Sequence, residues 1–129
     1  MALLGFVTLL AVLEYALIGL LVARARGRYG IKAPATSGNE IFERYFRVQQ
    51  NTLEQLLIFL PSLWVFGSYV SAPIAALLGL VFIVGRGLYL RGYVADPAQR
   101  SLGFLLSFAP SILMLLGGLI GAALAALRG

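Results

Sequence analysis

The side chains available for chemistry in this sequence are arginines, tyrosines, acids and amides, because it contains neither cysteine nor histidine. The absence of cysteine excludes a disulfide scaffold, a thiolate metal site and a cysteine nucleophile. The absence of histidine removes the commonest metal ligand and the commonest general base. We therefore expect no metal, and any reaction must use arginine, tyrosine, glutamate or asparagine, or groups that the substrate brings.

Three groups of polar residues occur at the ends of long apolar stretches. The first group shares one helix face, at spacings of four and three residues: Arg47, Asn51 and Glu54. The second group shares one helix face, at spacings of three and four residues: Arg86, Tyr89 and Tyr93. The third group consists of Arg26 and Arg100, which border the first and the last apolar stretch. If the same ends of the helices meet, these residues converge on one shallow pocket.

The composition requires a membrane environment. Of the 129 residues, 60% are apolar and 12% are charged, whereas ordinary globular chains contain about 45–50% apolar and about 25% charged residues. A chain this short cannot bury that much apolar surface inside a water-facing shell, so a soluble monomer and intrinsic disorder are both excluded. The net charge of +5 comes mostly from basic residues beside the first apolar stretch, so we expect no nucleic-acid partner.

A second interpretation of the polar residues is that they only anchor helices at the membrane surface, where arginine and tyrosine are enriched. We favour it for the remaining basic residues of the interface: Arg24, Arg28, Lys32, Arg91 and Arg128. It is weaker for Asn51 and Glu54, because an amide and an acid that face lipid have no anchoring value. A structural ion pair between Glu54 and an arginine stays open, and Glu14, isolated in the first stretch, receives no role.

Four stretches are long enough to cross a hydrocarbon core of roughly 30 Å, which takes about 20 helical residues. We predict an all-α, integral membrane four-helix bundle, formed by one domain over residues 1–129, with helices over 2–24, 39–69, 73–94 and 97–127. No basic residue precedes the first stretch, which therefore fits a retained anchor better than a cleaved signal peptide. Bases cluster after helix one and are absent after helix two, so we expect both termini outside the cytoplasm.

Local patterns predict where two of these helices begin. Ser37-x-x-Glu40 is typical of a capping box at the start of the second helix. Asp96-Pro97 is typical of the N-terminus of the fourth helix, which would place Arg100 at its very start. Within that helix, Gly117-x-x-x-Gly121 provides a face of small residues suited to close helix contact.

The polar groups also match known sequence signatures. Residues 38–54 (GNEIFERYFRVQQNTLE) resemble the F-E-R-x-x-R-x-Q-x-N-x-x-E signature of the MAPEG family, the membrane-associated proteins in eicosanoid and glutathione metabolism. Residues 79–93 (GLVFIVGRGLYLRGY) resemble the R-x-x-Y-x-x-G-Y segment on the third helix of that family. Arg26 and Arg100 also fit its spacing, so the resemblance extends over nearly the whole chain.

The resemblance implies a homotrimer of four-helix subunits, with glutathione bound between adjacent subunits near the cytoplasmic face. The matching positions imply the following glutathione-binding residues: Arg47, Asn51, Glu54, Tyr89 and Tyr93, with help from Arg26 and Gln49. We add Arg86, which shares the helix face of Tyr89. Arg100 matches the arginine credited with activating the thiol. The non-catalytic branch of the family, the lipoxygenase-activating protein, lacks this arginine, so Arg100 argues for catalysis.

Glutathione as co-substrate agrees with the chemistry of these residues. Its two carboxylates suit arginine, whose planar guanidinium binds them with paired hydrogen bonds, and its ammonium group suits Glu54. A free thiol has a pKa of about 8.5, and lowering it to about 6.5 requires roughly 2.7 kcal/mol of preferential thiolate stabilisation. Arg100 together with the positive end of helix four would supply this, because cations and helix N-termini each contribute about one to a few kcal/mol in a partly dry site.

The predicted function is therefore that of a membrane-bound glutathione S-transferase, with peroxidase activity as a further reaction of the same thiolate. Its partners would be membrane lipids and a lipophilic electrophile or lipid hydroperoxide, which the sequence does not identify. Two alternatives stay open: a non-catalytic lipid-binding or scaffold protein of the same fold, and a small transporter or an enzyme that uses another thiol or anion. The expected location is a bacterial inner membrane.

Overall fold

A computed structural model describes residues 1–129, and it confirms the predicted all-α four-helix architecture. The helices are α1 (Ala2–Arg28), α2 (Glu40–Tyr69), α3 (Ala72–Ala95) and α4 (Ser101–Arg128). A turn of 3₁₀-helix, Pro97–Arg100, precedes α4. The first helix thus continues to Arg28, beyond the predicted end at residue 24.

The N-terminus of α2 is capped by Asn39, and the predicted capping box of Ser37 with Glu40 is wrong. The side-chain oxygen of Asn39 accepts a hydrogen bond from the backbone N–H of Phe42 at 2.9 Å. Glu43 accepts from the backbone N–H of Gly38 at 3.1 Å. Asparagine caps helices as well as serine does, and Asn39 has the extended backbone conformation that a cap residue needs, directly before the first helical residue.

The start of α4 differs from the prediction of one regular helix from residue 97. The Asp96 side chain accepts from the Ala98 N–H at 3.1 Å, and its carbonyl oxygen accepts from the Gln99 N–H at 2.8 Å. Asp96 and Pro97 therefore cap a 3₁₀ turn, and Arg100 lies at its end, directly before Ser101. Arg100 therefore stands at the start of α4, as predicted, in the N-cap position, and no side-chain hydrogen bond caps this helix end.

The helices pack as an up-and-down bundle in which α2 and α3 are central. Both α1 and α4 contact α2 and α3. The core between them is apolar and includes Phe59 and Phe82, whose parallel rings stack with centroids 3.9 Å apart. The chain direction alternates, so α1 and α3 end, and α2 and α4 begin, at one end of the bundle. We call this the pocket end.

Three helical segments are long and apolar enough to cross a membrane: Ala2–Arg28, Ala72–Ala95 and Pro97–Arg128. The α2 helix does not meet that criterion, because charged residues occupy its first turns and leave a shorter apolar half. Large apolar side chains point outward along α1 and α4, among them Leu9 and Leu119, with 69% and 63% of their surface exposed. Such continuous apolar outer faces belong in lipid or against other subunits, and the protein is an integral membrane protein.

Glycines allow α4 to approach its two neighbours closely. A Cβ atom at Gly85 would lie 2.7 Å from the backbone of α4 at Leu106 and Ser107, so α3 and α4 are in near backbone contact there. A Cβ at Gly117 would lie 2.7 Å from the Phe66 ring, and one at Gly121 would lie 2.9 Å from Val70. The predicted small-residue face is therefore used within the chain, for contact between α4 and α2.

Candidate functional site

The pocket end is held together by contacts between α2 and the end of α3. Arg44 donates hydrogen bonds to the carbonyl oxygens of Val94 at 3.0 Å and Ala95 at 3.3 Å. The same guanidinium forms a salt bridge with Glu40 at 2.9 Å. Arginine near a helix C-terminus satisfies carbonyl groups that lack helical partners. Arg44 thereby fixes the end of α3 against the first turns of α2.

An open pocket of about 630 Å³ lies at this end of the bundle, between α2, α3 and the start of α4. It is lined by these residues: Phe46, Arg47, Gln50, Asn51, Glu54, Tyr89, Tyr93 and Arg100. We call it the polar pocket. The structure thus brings together most of the predicted site residues on three separate segments of the chain.

The charged groups of the polar pocket are exposed and form no salt bridges. Arg47, Glu54 and Arg100 are exposed. None of them forms a salt bridge within the chain, since the one salt bridge is that between Arg44 and Glu40. Arg100 donates to the carbonyl oxygen of Pro97 at 2.8 Å, a contact that bends its side chain back over its own turn. The pocket therefore offers two guanidinium groups and one carboxylate that have no counter-charge within the chain.

A second pocket of about 510 Å³ adjoins the first and is mainly apolar. Asn51, Tyr89 and Arg100 line both pockets. The further lining residues all belong to α4: Ser101, Phe104, Leu105 and Phe108. We call it the apolar pocket. Arg100 lies where the two meet, so a polar ligand and an apolar ligand would come together beside this guanidinium.

Arg86 lies beneath the polar pocket and does not line it. Its side chain is fully buried, with 0% of its surface exposed. Its two terminal nitrogens donate to three side-chain oxygens: Asn51 at 2.8 Å, Thr52 at 3.0 Å and Ser107 at 3.2 Å. The guanidinium carbon also lies 4.3 Å from the centre of the Tyr89 ring. Arg86 therefore connects α2, α3 and α4 from inside the bundle.

Arg26 and Gln49 do not line the polar pocket of their own chain. Arg26 donates to the carbonyl oxygen of Ala35 at 2.7 Å, and its guanidinium lies 5.0 Å from the centre of the Phe42 ring. Gln49 faces α1, where its amide nitrogen would lie 3.3 Å from a Cβ at Gly19. Both side chains thus belong to the contact between α1 and α2.

Several pocket residues were not among those predicted from the sequence. Gln50 follows Arg47 by three residues, so helical spacing alone would have placed both on one face. Phe104 and Phe108 follow Arg100 by four and eight residues, so helical spacing places them near its face. Nothing in the sequence distinguishes these aromatic side chains from the many apolar residues that face lipid.

The fold and the site define a class of protein: an integral membrane four-helix bundle with a charged pocket at one end, continuous with an apolar one. The model of the MAPEG family matches residues 4–120, and the chain belongs to that family.

Named relatives support this assignment. The chain is 40% identical to human microsomal glutathione S-transferase 2 over 121 residues, which cover 94% of this chain and 82% of that protein. It is 44% identical to leukotriene C4 synthase of Cavia porcellus over 115 residues, which cover 89% and 76%. A Synechocystis protein described as uncharacterised is 47% identical over 116 residues, which cover 90% and 85%.

Proposed function

We propose that this protein is a glutathione-using membrane enzyme, and specifically a glutathione S-transferase that activates the thiol for attack on lipophilic electrophiles. One observation carries the proposal: the polar pocket and the apolar pocket meet at Arg100. A transferase of this kind must hold a charged tripeptide and an apolar acceptor side by side. Relatives named microsomal glutathione S-transferase 2 and leukotriene C4 synthase support the choice of glutathione.

The polar pocket is complementary to glutathione in charge. Arg47 would bind a carboxylate, since guanidinium groups pair with carboxylates through two parallel hydrogen bonds. Glu54 would bind the ammonium group, because it is the acid of the pocket and has no cation as partner in the chain. Asn51 and the hydroxyl groups of Tyr89 and Tyr93 would bind the remaining polar atoms of the peptide.

Arg100 would stabilise the thiolate. For this its guanidinium must leave the carbonyl oxygen of Pro97 and turn towards the sulfur atom at the junction of the pockets. A cation beside the sulfur favours the charged form of the thiol, and no general base is then needed. The thiolate attacks the electrophile held in the apolar pocket, a carbon–sulfur bond forms, and the leaving group departs with the electron pair of the broken bond.

Reduction of lipid hydroperoxides is a second reaction open to the same thiolate. The sulfur attacks the terminal peroxide oxygen, the O–O bond breaks, and the lipid leaves as an alkoxide that takes up a proton. The sulfenic acid of glutathione then reacts with a second glutathione to give the disulfide and water. Leu105, Phe104 and Phe108 would hold the acyl chain in this reaction.

The proposed active form is a homotrimer in which each pocket lies between two subunits. Arg26 and Gln49 lie away from the polar pocket of their own chain. In the trimer, the partner subunit's Arg26 and the partner subunit's Gln49 would complete the glutathione site. The exposed apolar face of α1 supports an assembly in which this helix contacts another subunit.

We also propose a bacterial inner membrane as the location, with the pocket end facing the cytoplasm. The relative from Synechocystis supports a bacterial setting. The basic residues of the connection after α1 support the orientation through the preference of such residues for the cytoplasmic side.

The test is a near-ultraviolet difference titration of glutathione thiolate on the purified protein, comparing wild type with Arg100→Ala. We expect a thiolate band at neutral pH in wild type and its loss in the variant at saturating glutathione. Turnover of a chlorodinitroarene should fall in parallel. Glutathione binding without a thiolate band in wild type would instead indicate a non-catalytic binding protein, and no binding would indicate a different ligand.

A further inference from the structure

Arg86 is a buried cation with no acidic partner in hydrogen-bonding range, which is an unusual feature in the core of a membrane bundle. It is fully buried, and the chain's one salt bridge lies elsewhere, between Arg44 and Glu40. Its partners are neutral oxygens, and its Nε atom has none. Glu14 on α1 is close enough to attract Arg86 electrostatically but forms no salt bridge with it. Because a buried charge without a hydrogen-bonded counter-charge is unfavourable, an apolar residue would suit this position better for stability alone.

We propose that Arg86 is a positioning residue that fixes the side-chain amide of Asn51, so that Asn51 presents its NH₂ group to the polar pocket. Asn51 then acts as a hydrogen-bond donor to a carbonyl or carboxylate oxygen of glutathione. This inference rests on the proposed function. It assigns Arg86 an indirect role in place of the direct glutathione contact predicted from the sequence.

The orientation of the Asn51 amide follows from the chemistry of arginine. A guanidinium group can only donate hydrogen bonds, so the Asn51 atom that lies 2.8 Å from Nη2 must be the carbonyl oxygen Oδ1. The alternative orientation would direct an NH₂ group at a cation that offers only N–H groups. Of the two possible orientations of the Asn51 amide, Arg86 therefore favours the one with Oδ1 towards the guanidinium.

The opposite side of the Asn51 amide is open to the pocket. The Asn51 side chain forms one hydrogen bond within the chain, through Oδ1. Its amide nitrogen forms none. This nitrogen is also not among the buried polar atoms that lack a partner. Since Asn51 is half-buried and lines both pockets, the N–H groups that remain are accessible from the ligand side.

Arg86 is itself held from three sides, so it can hold Asn51. Thr52 on α2 and Ser107 on α4 accept from its two terminal nitrogens, at 3.0 Å and 3.2 Å. The Ser107 hydroxyl donates to the Gly103 carbonyl oxygen at 2.8 Å, which leaves its lone pairs for Arg86. The Tyr89 ring packs against its face at 4.3 Å, so contacts on three sides restrict the rotation of the guanidinium.

The decisive variant is Asn51→Asp, because it keeps the oxygen that faces Arg86 and replaces the donor that faces the pocket by a second acceptor. We expect the protein to keep its thermal stability or gain some, since Arg86 acquires a hydrogen-bonded counter-charge. Glutathione binding, measured by calorimetry on the detergent-solubilised protein, should weaken by about tenfold or more. The KM for glutathione should rise similarly, with a change in kcat of less than about threefold. Unchanged or tighter binding would overturn the inference.

A double-mutant cycle separates positioning from direct binding. If Arg86 acts through Asn51, Arg86→Met should weaken glutathione binding in the wild-type background and change it by less than about threefold in Asn51→Ala. Equal losses in both backgrounds would mean that Arg86 binds the ligand directly. If Arg86→Met does not fold, Arg86→Lys takes its place in the same cycle. The loss of glutathione binding in that cycle and in Asn51→Asp then distinguishes positioning from direct binding.

Thr52→Val is the matched control, because it removes another Arg86 partner and leaves the Asn51 contact in place. Ser107 and Tyr89 still hold the guanidinium in this variant. Its glutathione binding should therefore stay within about threefold of wild type, and a loss as large as that of Asn51→Asp would contradict the proposal. Failure of wild type itself to bind glutathione would overturn the proposed function and this inference with it. If wild type binds glutathione and Asn51→Asp binds it equally well, the inference is overturned and the proposed function is not.

Discussion

Gly103 of α4 packs directly on the backbone of Tyr89 of α3, and a Cβ atom at Gly103 would lie 2.5 Å from the Tyr89 Cα. The contact lies immediately beside the site, because Tyr89 and Arg100 line both pockets. Only glycine allows the two backbones to come so close. The shape of the junction between the pockets therefore depends on the absence of a side chain at position 103.

Gly103→Ala should disturb the site as well as the fold. The added methyl group must push α3 and α4 apart, and overpacking of this kind costs about 1–3 kcal/mol. We expect a lower melting temperature and a clear loss of glutathione-dependent turnover, measured by thermal unfolding and a chlorodinitroarene assay. Gly5→Ala is the control, since a Cβ there meets nothing within 4 Å. A Gly103→Ala protein as stable and active as wild type would contradict the close contact.

Glu54 should recognise the ammonium group of glutathione. We expect Glu54→Gln to weaken glutathione binding about tenfold, because the charge-assisted hydrogen bonds are lost. The sharper measurement compares glutathione with its N-acetyl derivative, which lacks the ammonium charge. Wild type should prefer glutathione, and Glu54→Gln should lose most of that preference. A preference that is the same in both proteins would place the ammonium group elsewhere.

Phe108 should contribute to acceptor binding and not to thiolate formation. It lines the apolar pocket but not the polar one, and its ring stacks on that of Phe104 with centroids 5.3 Å apart. Phe108→Ala should raise the KM for a lipophilic electrophile by about five- to tenfold through lost apolar contact. The thiolate band should be unchanged. Leu119→Ala, on the exposed part of α4, serves as the control and should leave both measurements unaltered.

Helical spacing explains why much of the polar pocket could be predicted from the sequence. Arg47, Asn51 and Glu54 lie on one face of α2 because the helix period is a local property of the backbone. Their joint presence in the polar pocket therefore required only that α2 be helical and that this face be covered by α3 and α4. Composition likewise determined the membrane environment, since no packing arrangement of so short and apolar a chain can shield its apolar surface from water.

Spacing could not determine how each face is divided between interior and pocket. Arg86 precedes Tyr89 by three residues and was predicted to share its role, yet it is sealed inside the bundle while Tyr89 reaches the pocket. The difference arises from the close approach of α4, which Gly85 and Gly103 permit and which covers one part of the α3 face. Such an approach is a property of two helices together.

The start of α2 was also determined partly by local sequence and partly by the folded structure. That α2 begins near residue 39 followed from local turn chemistry, but Ser37 and Asn39 are both good cap residues, and the folded chain uses Asn39.

The residue types available for chemistry and the membrane class were determined by the sequence itself, because they depend on composition and local periodicity. The burial of Arg86, the amide orientation of Asn51 and the meeting of two pockets at Arg100 were decided only by tertiary packing, because each requires atoms from helices distant in sequence.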